Sequence, residues 1–358
     1  MIINGKECLN FCSNDYLGLA NHPDIISAFK KAAEKYGVGS GSAHLINGHS
    51  NEHHELEEAL AEFTGREKAI LFSTGYMANM GVLSAIVDRG DFLYQDRLNH
   101  ASLIDAGLLA KAKMKRYKHN DIADLKRLYA KAEDTSKNSM IVTDGVFSMD
   151  GDEAPMAELA QIAQQHQAWL MVDDAHGFGV LGNKGAGLLE QENLSQADVP
   201  ILMATLGKAC GTSGAFVAGS ADFIDYLMQT ARTFIFTTAL PPSIAAATKT
   251  SLKIIENETW RREKLLTLID QFKKGVDQLG INLMPSKTAI QPILIGSTER
   301  ALKISQELSE QGILLTAIRP PTVPEGFSRL RVTFSANHTE KQVEQLLNAL
   351  ESVFTKDT

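Results

Sequence analysis

The stretch ILMATLGKACGTSGAFVAG, residues 201–219, holds two short apolar runs joined by a segment of small residues. Each run is too short for a helix, so ILMAT (201–205) and GAFVAG (214–219) read as buried strands. Lys208 stands between them with no acid close by in the sequence. A buried lysine is costly unless something neutralises it. Its partner must come from elsewhere in the chain.

Outward from this stretch the same grammar repeats. KAILF (68–72), MIVTDG (140–145) and AWLMVDD (168–174) are further short apolar runs that read as buried strands. Between them, residues 76–88, 101–112, 122–134 and 155–166 carry apolar side chains at helical spacing, the last opening on Pro155. Alternating strands and helices predict an α/β fold with a mostly parallel sheet covered on both faces. After TTALPPSIA (237–245) the pattern changes to two long helices, about 243–257 and 259–279, then alternating strands and helices to the end. This predicts an N-terminal arm over 1–38, a large domain over 39–242 and a smaller α+β domain over 243–358.

The 358 residues allow a large core and two domains, and 44% hydrophobic with 22% charged residues is ordinary for a globular chain. A net charge of -8 argues against non-specific nucleic-acid binding. Three cysteines (Cys8, Cys12 and Cys210) suit free thiols in a reducing cytoplasm better than a disulfide framework. The opening MIINGKECLNF has no apolar core or small-residue cleavage site for export, and no apolar run is long enough for a bilayer. A cytoplasmic protein with no membrane partner is expected.

In open α/β sheets ligands bind beyond the carboxyl ends of the strands. The residues just past the expected strands form an unusual set: Ser73-Thr74-Gly75-Tyr76 where a helix begins, Ser148, Asp173 with His176, and Lys208. Pyridoxal 5'-phosphate (PLP) needs this combination. It takes a lysine amine for a Schiff base and a carboxylate to keep its pyridine nitrogen protonated. Its phosphate suits a helix amino terminus flanked by hydroxyls.

With these residues assembled, the sequence resembles the α-oxoamine synthases among the fold-type-I PLP enzymes. The resemblance is carried in order by LNFCSNDYLGLANHP (9–23), GVGSGSAHLINGHSNEHHELEEALAEFTG (37–65), FSTGYMAN (72–79), DRLNHASLIDA (96–106), VTDGVFSMDGDEAP (142–155), MVDDAHGFGVLG (171–182), TLGKACGTSGAF (205–216) and TAIRPPTVPEGFSRLRVTFSA (316–336). It implies a fold-type-I transferase, active as a homodimer. It gives Lys208 the Schiff base and the α-proton, Asp173 the pyridine nitrogen, and His176 and Ser148 the phenolic oxygen. His100 would stack on the ring, Gly75 and Tyr76 would offer backbone N–H groups to the phosphate with Thr205 nearby, and Thr237 and Thr238 would reach the partner subunit's phosphate. Arg331 would receive the amino-acid carboxylate, with Asn14 and Arg319 as further substrate contacts. No metal is expected.

The early SGSAHLINGHSNEHHELE and late IRPPTVPEG point to the branch that condenses L-alanine with a pimeloyl thioester, on CoA or acyl-carrier protein, with loss of carbon dioxide. Two alternatives remain at this level: the glycine and acetyl-CoA condensation of 2-amino-3-ketobutyrate CoA ligase, and a catalytically silent subunit on the same scaffold. KACG (208–211) departs from the family's glycine-aromatic-glycine after the lysine. Other motifs carry less. GVGSGS (37–42) lacks the full dinucleotide spacing, and LGKAC lacks the Ser or Thr of a phosphate loop. His49, Glu52, His53, His54 and Glu57 do not form H-E-x-x-H and read as a solvated or substrate-lining helix. Cys210 reads as a small packing residue.

Overall fold

A computed structural model describes residues 2–3, 5–132 and 138–356. They form two compact units, one of residues 19–147 and 154–257, the other of 1–18, 148–153 and 258–358.

In the larger unit seven strands form one sheet in the order Lys68–Phe72, Ala215–Gly219, Ile201–Thr205, Trp169–Asp173, Ser139–Asp144, Phe92–Asp96, Lys113–Tyr117. Only Ala215–Gly219 runs against its neighbours; the other pairs are parallel. The expected mostly parallel sheet is therefore present. Both of its faces are dry, since Ile141 is as buried as Met140 and Val142. That explains why the central strands read as continuous apolar runs instead of alternating ones. Phe92–Asp96 and Lys113–Tyr117 are strands that periodicity does not mark. The second, KMKRY, lies at the sheet edge with charged side chains turned to solvent, as edge strands do.

The expected helices form over Gly75–Ile86, Ala101–Leu109, Ile122–Ala130 and Met156–Gln165. The third was expected to reach residue 134, and residues 133–134 lie outside the described ones. The unit boundaries differ from the expected ones. The Pro242–Asn257 helix packs on the Pro23–Tyr36 and Asn51–Thr64 helices, so all three belong to the larger unit.

In the smaller unit Ile290–Gly296, Ser328–Thr333 and Thr316–Ile318 form an antiparallel sheet, accompanied by helices Trp260–Gln278, Thr298–Glu310 and Glu340–Lys356. Residues 1–18 join this unit. Leu9–Asn10 pairs in parallel with Ile313–Leu314, and the Phe11 carbonyl accepts from Thr333 N–H at 2.7 Å. Among the described residues no helix is long and apolar enough to cross a membrane.

The histidines around the start of the Asn51–Thr64 helix have structural jobs. His53 caps the Asn51–Thr64 helix with Ser50 and reaches the Leu240 carbonyl at 2.5 Å. His44 and His49 meet through their Nδ1 atoms at 3.0 Å, and the half-buried Glu57 accepts from Leu71 N–H at 3.1 Å. His49, His54 and Glu57 place one ligand atom each within 4.8 Å of one another. His44 stacks on Phe234, with ring centroids 4.9 Å apart. Burial first, then the His53 and His49 rings, lower its pKa from 6.5 to about 3. The unfolded chain therefore binds this proton more readily, and stability falls as pH drops from 6.5 towards 3. We expect His44→Phe, which keeps the stack, to remove up to about 2 kcal/mol of the stability lost between pH 7 and 5. Chemical unfolding at the two pH values measures this; equal losses in both chains would refute it.

Candidate active site

The Ile201–Thr205 and Ala215–Gly219 strands are adjacent and antiparallel, with Thr205 opposite Ala215. They make a hairpin whose loop, 206–214, carries Lys208. The loop is held by main-chain groups: Leu206 N–H to Gly214 O at 2.9 Å, Thr212 N–H to Leu206 O at 3.0 Å and Gly211 N–H to Lys208 O at 2.9 Å. Two contacts tie it to the Pro242–Asn257 helix. The Thr212 and Thr248 hydroxyls lie 2.8 Å apart, and Ser251 Oγ donates to Cys210 O at 2.6 Å. The departure at KACG thus becomes packing. Ala209 and Cys210 are both buried, and burial pushes the Cys210 thiol up to about 12.

Lys208 itself is half-buried, and its Nζ lies 2.8 Å from His176 Nε2. His176 follows the Trp169–Asp173 strand, the immediate neighbour of Ile201–Thr205. Parallel register thus brings together two residues 32 positions apart. Asp173 closes that strand and is 5% exposed. Its Oδ1 accepts from Ala175 N–H at 3.1 Å and its Oδ2 from Asn79 Nδ2 at 2.8 Å. A buried carboxylate with two donors is held in one orientation.

Asp144 ends the next strand and pairs in register with Asp173. Burial and then the Asp173 carboxylate push Asp144 well above the ordinary carboxylate range; His100 N–H and the Lys208 ammonium act against this. Asp144 Oδ2 accepts that His100 N–H at 2.9 Å. His100 caps the Ala101–Leu109 helix, and its Nδ1 lies 2.8 Å from Ser102 Oγ. The imidazole is exposed, yet it is fixed at both its backbone and its ring.

The Gly75–Ile86 helix starts just past the Lys68–Phe72 strand. Thr74 caps it by accepting from Met77 N–H at 3.1 Å. Gly75 and Tyr76 carry the amides of the first turn, which a helix cannot satisfy internally. The Tyr76 hydroxyl donates to Asp105 Oδ2. Thr205 Oγ1 donates to Gly214 O at 3.1 Å and accepts from Gly207 N–H at 3.3 Å. Thr237 and Thr238 follow the short Arg232–Ile235 helix, and Thr238 O accepts from Ser73 Oγ at 3.4 Å.

The remaining expected residues lie in the smaller unit, Ser148 among them, although it was expected in the large domain. Arg331 is buried on the Ser328–Thr333 strand. Its Nε donates to Ser148 O at 2.6 Å, Nη1 to Thr333 Oγ1 at 3.1 Å and Nη2 to Asn14 Oδ1 at 3.2 Å. The Tyr16 hydroxyl shares this guanidinium as well, and its planar fork has the geometry that a carboxylate takes in bidentate fashion. Arg319 is exposed and donates to its neighbour Pro320 O at 3.4 Å; no bond among the described residues joins it to Arg331.

Asn79, Ser102, Asp144 and Asp174 were not singled out by sequence. Asn79 had a signal: it lies one turn beyond the helix start in GYMAN and is polar on a buried face.

The residues fit PLP by their chemistry. An amine beside an imidazole, an oriented buried carboxylate and a helix start with first-turn amides to offer are what an aldehyde, a pyridine nitrogen and a phosphate require. The description "Aminotransferase class I and II" matches residues 6–350. An 8-amino-7-oxononanoate synthase from Saccharophagus degradans is 59% identical, over 97% of this chain and 87% of that one. A serine palmitoyltransferase from S. paucimobilis, solved with bound PLP-myriocin aldimine, superposes with a TM-score of 0.95 at 32% identity, covering 98% of this chain and 88% of that one. An 8-amino-7-oxononanoate synthase from Francisella tularensis superposes with a TM-score of 0.86 at 32% identity, covering 98% of each chain. The chain belongs to the aminotransferase class I and II family.

Proposed function

We propose that this chain condenses L-alanine with a pimeloyl thioester, releasing carbon dioxide and the thiol carrier, to give 8-amino-7-oxononanoate for biotin synthesis. The observation that carries this is the Lys208–His176 contact at 2.8 Å, one strand from the buried Asp173. An amine beside an imidazole, one strand from a buried carboxylate, supports this reading in a chain whose curated relatives carry that synthase name.

PLP supplies an electron sink for a carbanion next to the amino nitrogen. Asp173 would hold the proton of the pyridine nitrogen by pairing its carboxylate with that charge. Lys208 accepts the α-proton of alanine on its Nζ and later returns one. His176, in contact with that Nζ, and Ser148 serve the phenolic oxygen. His100 covers the ring face. Gly75 and Tyr76 offer their amides to the phosphate, with Thr205 beside them. Arg331 takes the alanine carboxylate on its guanidinium, and Asn14 and Arg319 are further substrate contacts. Thr237 and Thr238 serve the phosphate of a second copy, so the working form is a homodimer. The cytoplasm is its compartment.

The test offers L-alanine or glycine with pimeloyl-CoA, pimeloyl-acyl-carrier protein or acetyl-CoA. Alanine with a pimeloyl donor should exceed glycine with the same donor by about 10-fold or more, the usual worth of one methyl group. Glycine with acetyl-CoA as the better pair would overturn the assignment.

A further inference from the structure

We infer that Asn79 is a positioning residue of this site: its amide nitrogen holds the Asp173 carboxylate and, through Ser102, the His100 ring. Asn79 lies on the Gly75–Ile86 helix and is fully buried. Its Nδ2 donates to Asp173 Oδ2 and to Ser102 Oγ, both at 2.8 Å. The Ser102 hydroxyl lies 2.8 Å from His100 Nδ1. One side-chain amide thus joins a helix, a strand end 94 residues away and the start of a second helix.

The chemistry fixes which way the amide points. Turned over, it would set its carbonyl oxygen against a carboxylate oxygen, acceptor against acceptor. In the orientation present, both N–H groups are used and the carbonyl oxygen has no partner. A buried acceptor left unpaired is unfavourable and calls for a reason. Here the reason is the carboxylate. A leucine of similar size would pack as well at this position but would leave Asp173 Oδ2 without its side-chain donor.

Such a donor favours the charged form of a carboxylate. A charged Asp173 is what a protonated pyridine nitrogen pairs with, so the inference rests on the PLP reading above. Asn79 touches neither substrate nor reacting atoms in this account. It acts through Asp173 and through His100.

The test is PLP affinity of the full chain, titrated by absorbance from pH 5.5 to 8.5, in the parent, Asn79→Ala, Asn79→Leu and Ser102→Ala. Melting of the cofactor-free chains reports folding. We expect Asn79→Ala and Asn79→Leu to bind PLP roughly 10-fold more weakly at neutral pH, the scale of one charge-assisted hydrogen bond. We also expect the acid limb of the affinity profile to move to higher pH in both. Ser102→Ala, which leaves the Asp173 bond in place, should keep the parent's acid limb. Parent-like affinity and profile in the Asn79 variants would overturn the inference. So would a uniform loss at every pH that tracks a lower melting temperature, or failure of both variants to fold, since either result marks a structural role. A parent chain that binds no PLP would instead sink the cofactor reading.

Discussion

Lys208→Ala should remove turnover by at least about 10⁴-fold while leaving the fold intact. The loss follows from deleting the only group in the cradle proposed to move the α-proton. The fold should survive because the 206–214 loop does not depend on the lysine side chain. Its closures are main-chain bonds, and its ties to the Pro242–Asn257 helix run through Thr212 and the Cys210 carbonyl. Product formation from L-alanine and pimeloyl-CoA, with melting of the same preparation, measures both halves. Multiple turnover near the parent rate would remove Lys208 from the mechanism. A collapsed melting transition would show that its side chain supports the loop.

Gly187→Ala should be strongly destabilising for so small a change, costing about 3 kcal/mol or more. Gly187 has φ +105, where side chains are strained, and a Cβ there would overlap Asp174 Oδ2. Asp174 is wholly buried, and that oxygen accepts from Leu188 N–H at 2.7 Å. Displacing it breaks the bond that holds the chain after the Asp173 strand. Gly65→Ala is the control. Gly65 ends a helix at φ +65 with nothing within 4 Å of a new Cβ, so the cost should be only about 1 kcal/mol. Chemical denaturation of both variants separates strain from collision. Equal losses would mean that Asp174 gives way easily.

How much was legible follows from where each signal resides. Local signals read well: KAILF and ILMAT are strands to the residue, because a dry strand must be apolar throughout. The edge strand KMKRY hid because half of it faces water and its charges mimic a loop. The parallel sheet, once inferred, turned strand ends into a site list, and the Lys208–His176 contact is its product. Domain limits read poorly. The helix after Pro242 resembles the C-terminal ones in pattern, and only its packing partners, near the start of the chain, assign it to the larger unit. Asn79 and Asp174 act through hydrogen bonds, and nothing in one sequence says which buried polar residue meets which. Asp144 could be placed at a strand end, but its shift depends on a neighbour in register that only the sheet order supplies.

The hairpin that carries Lys208 also bears on the order in which the cradle assembles. Thr205 and Ala215 close across a nine-residue loop, a contact of low order that forms on the microsecond scale of hairpins, roughly 1–10 μs. Asn79 and Asp173 meet only once parallel strands distant in sequence have docked, the slow class of event. By these rates the loop around the amine is expected to close before Asn79 seats the Asp173 carboxylate, so the two halves of the cradle differ in how much of the fold each needs.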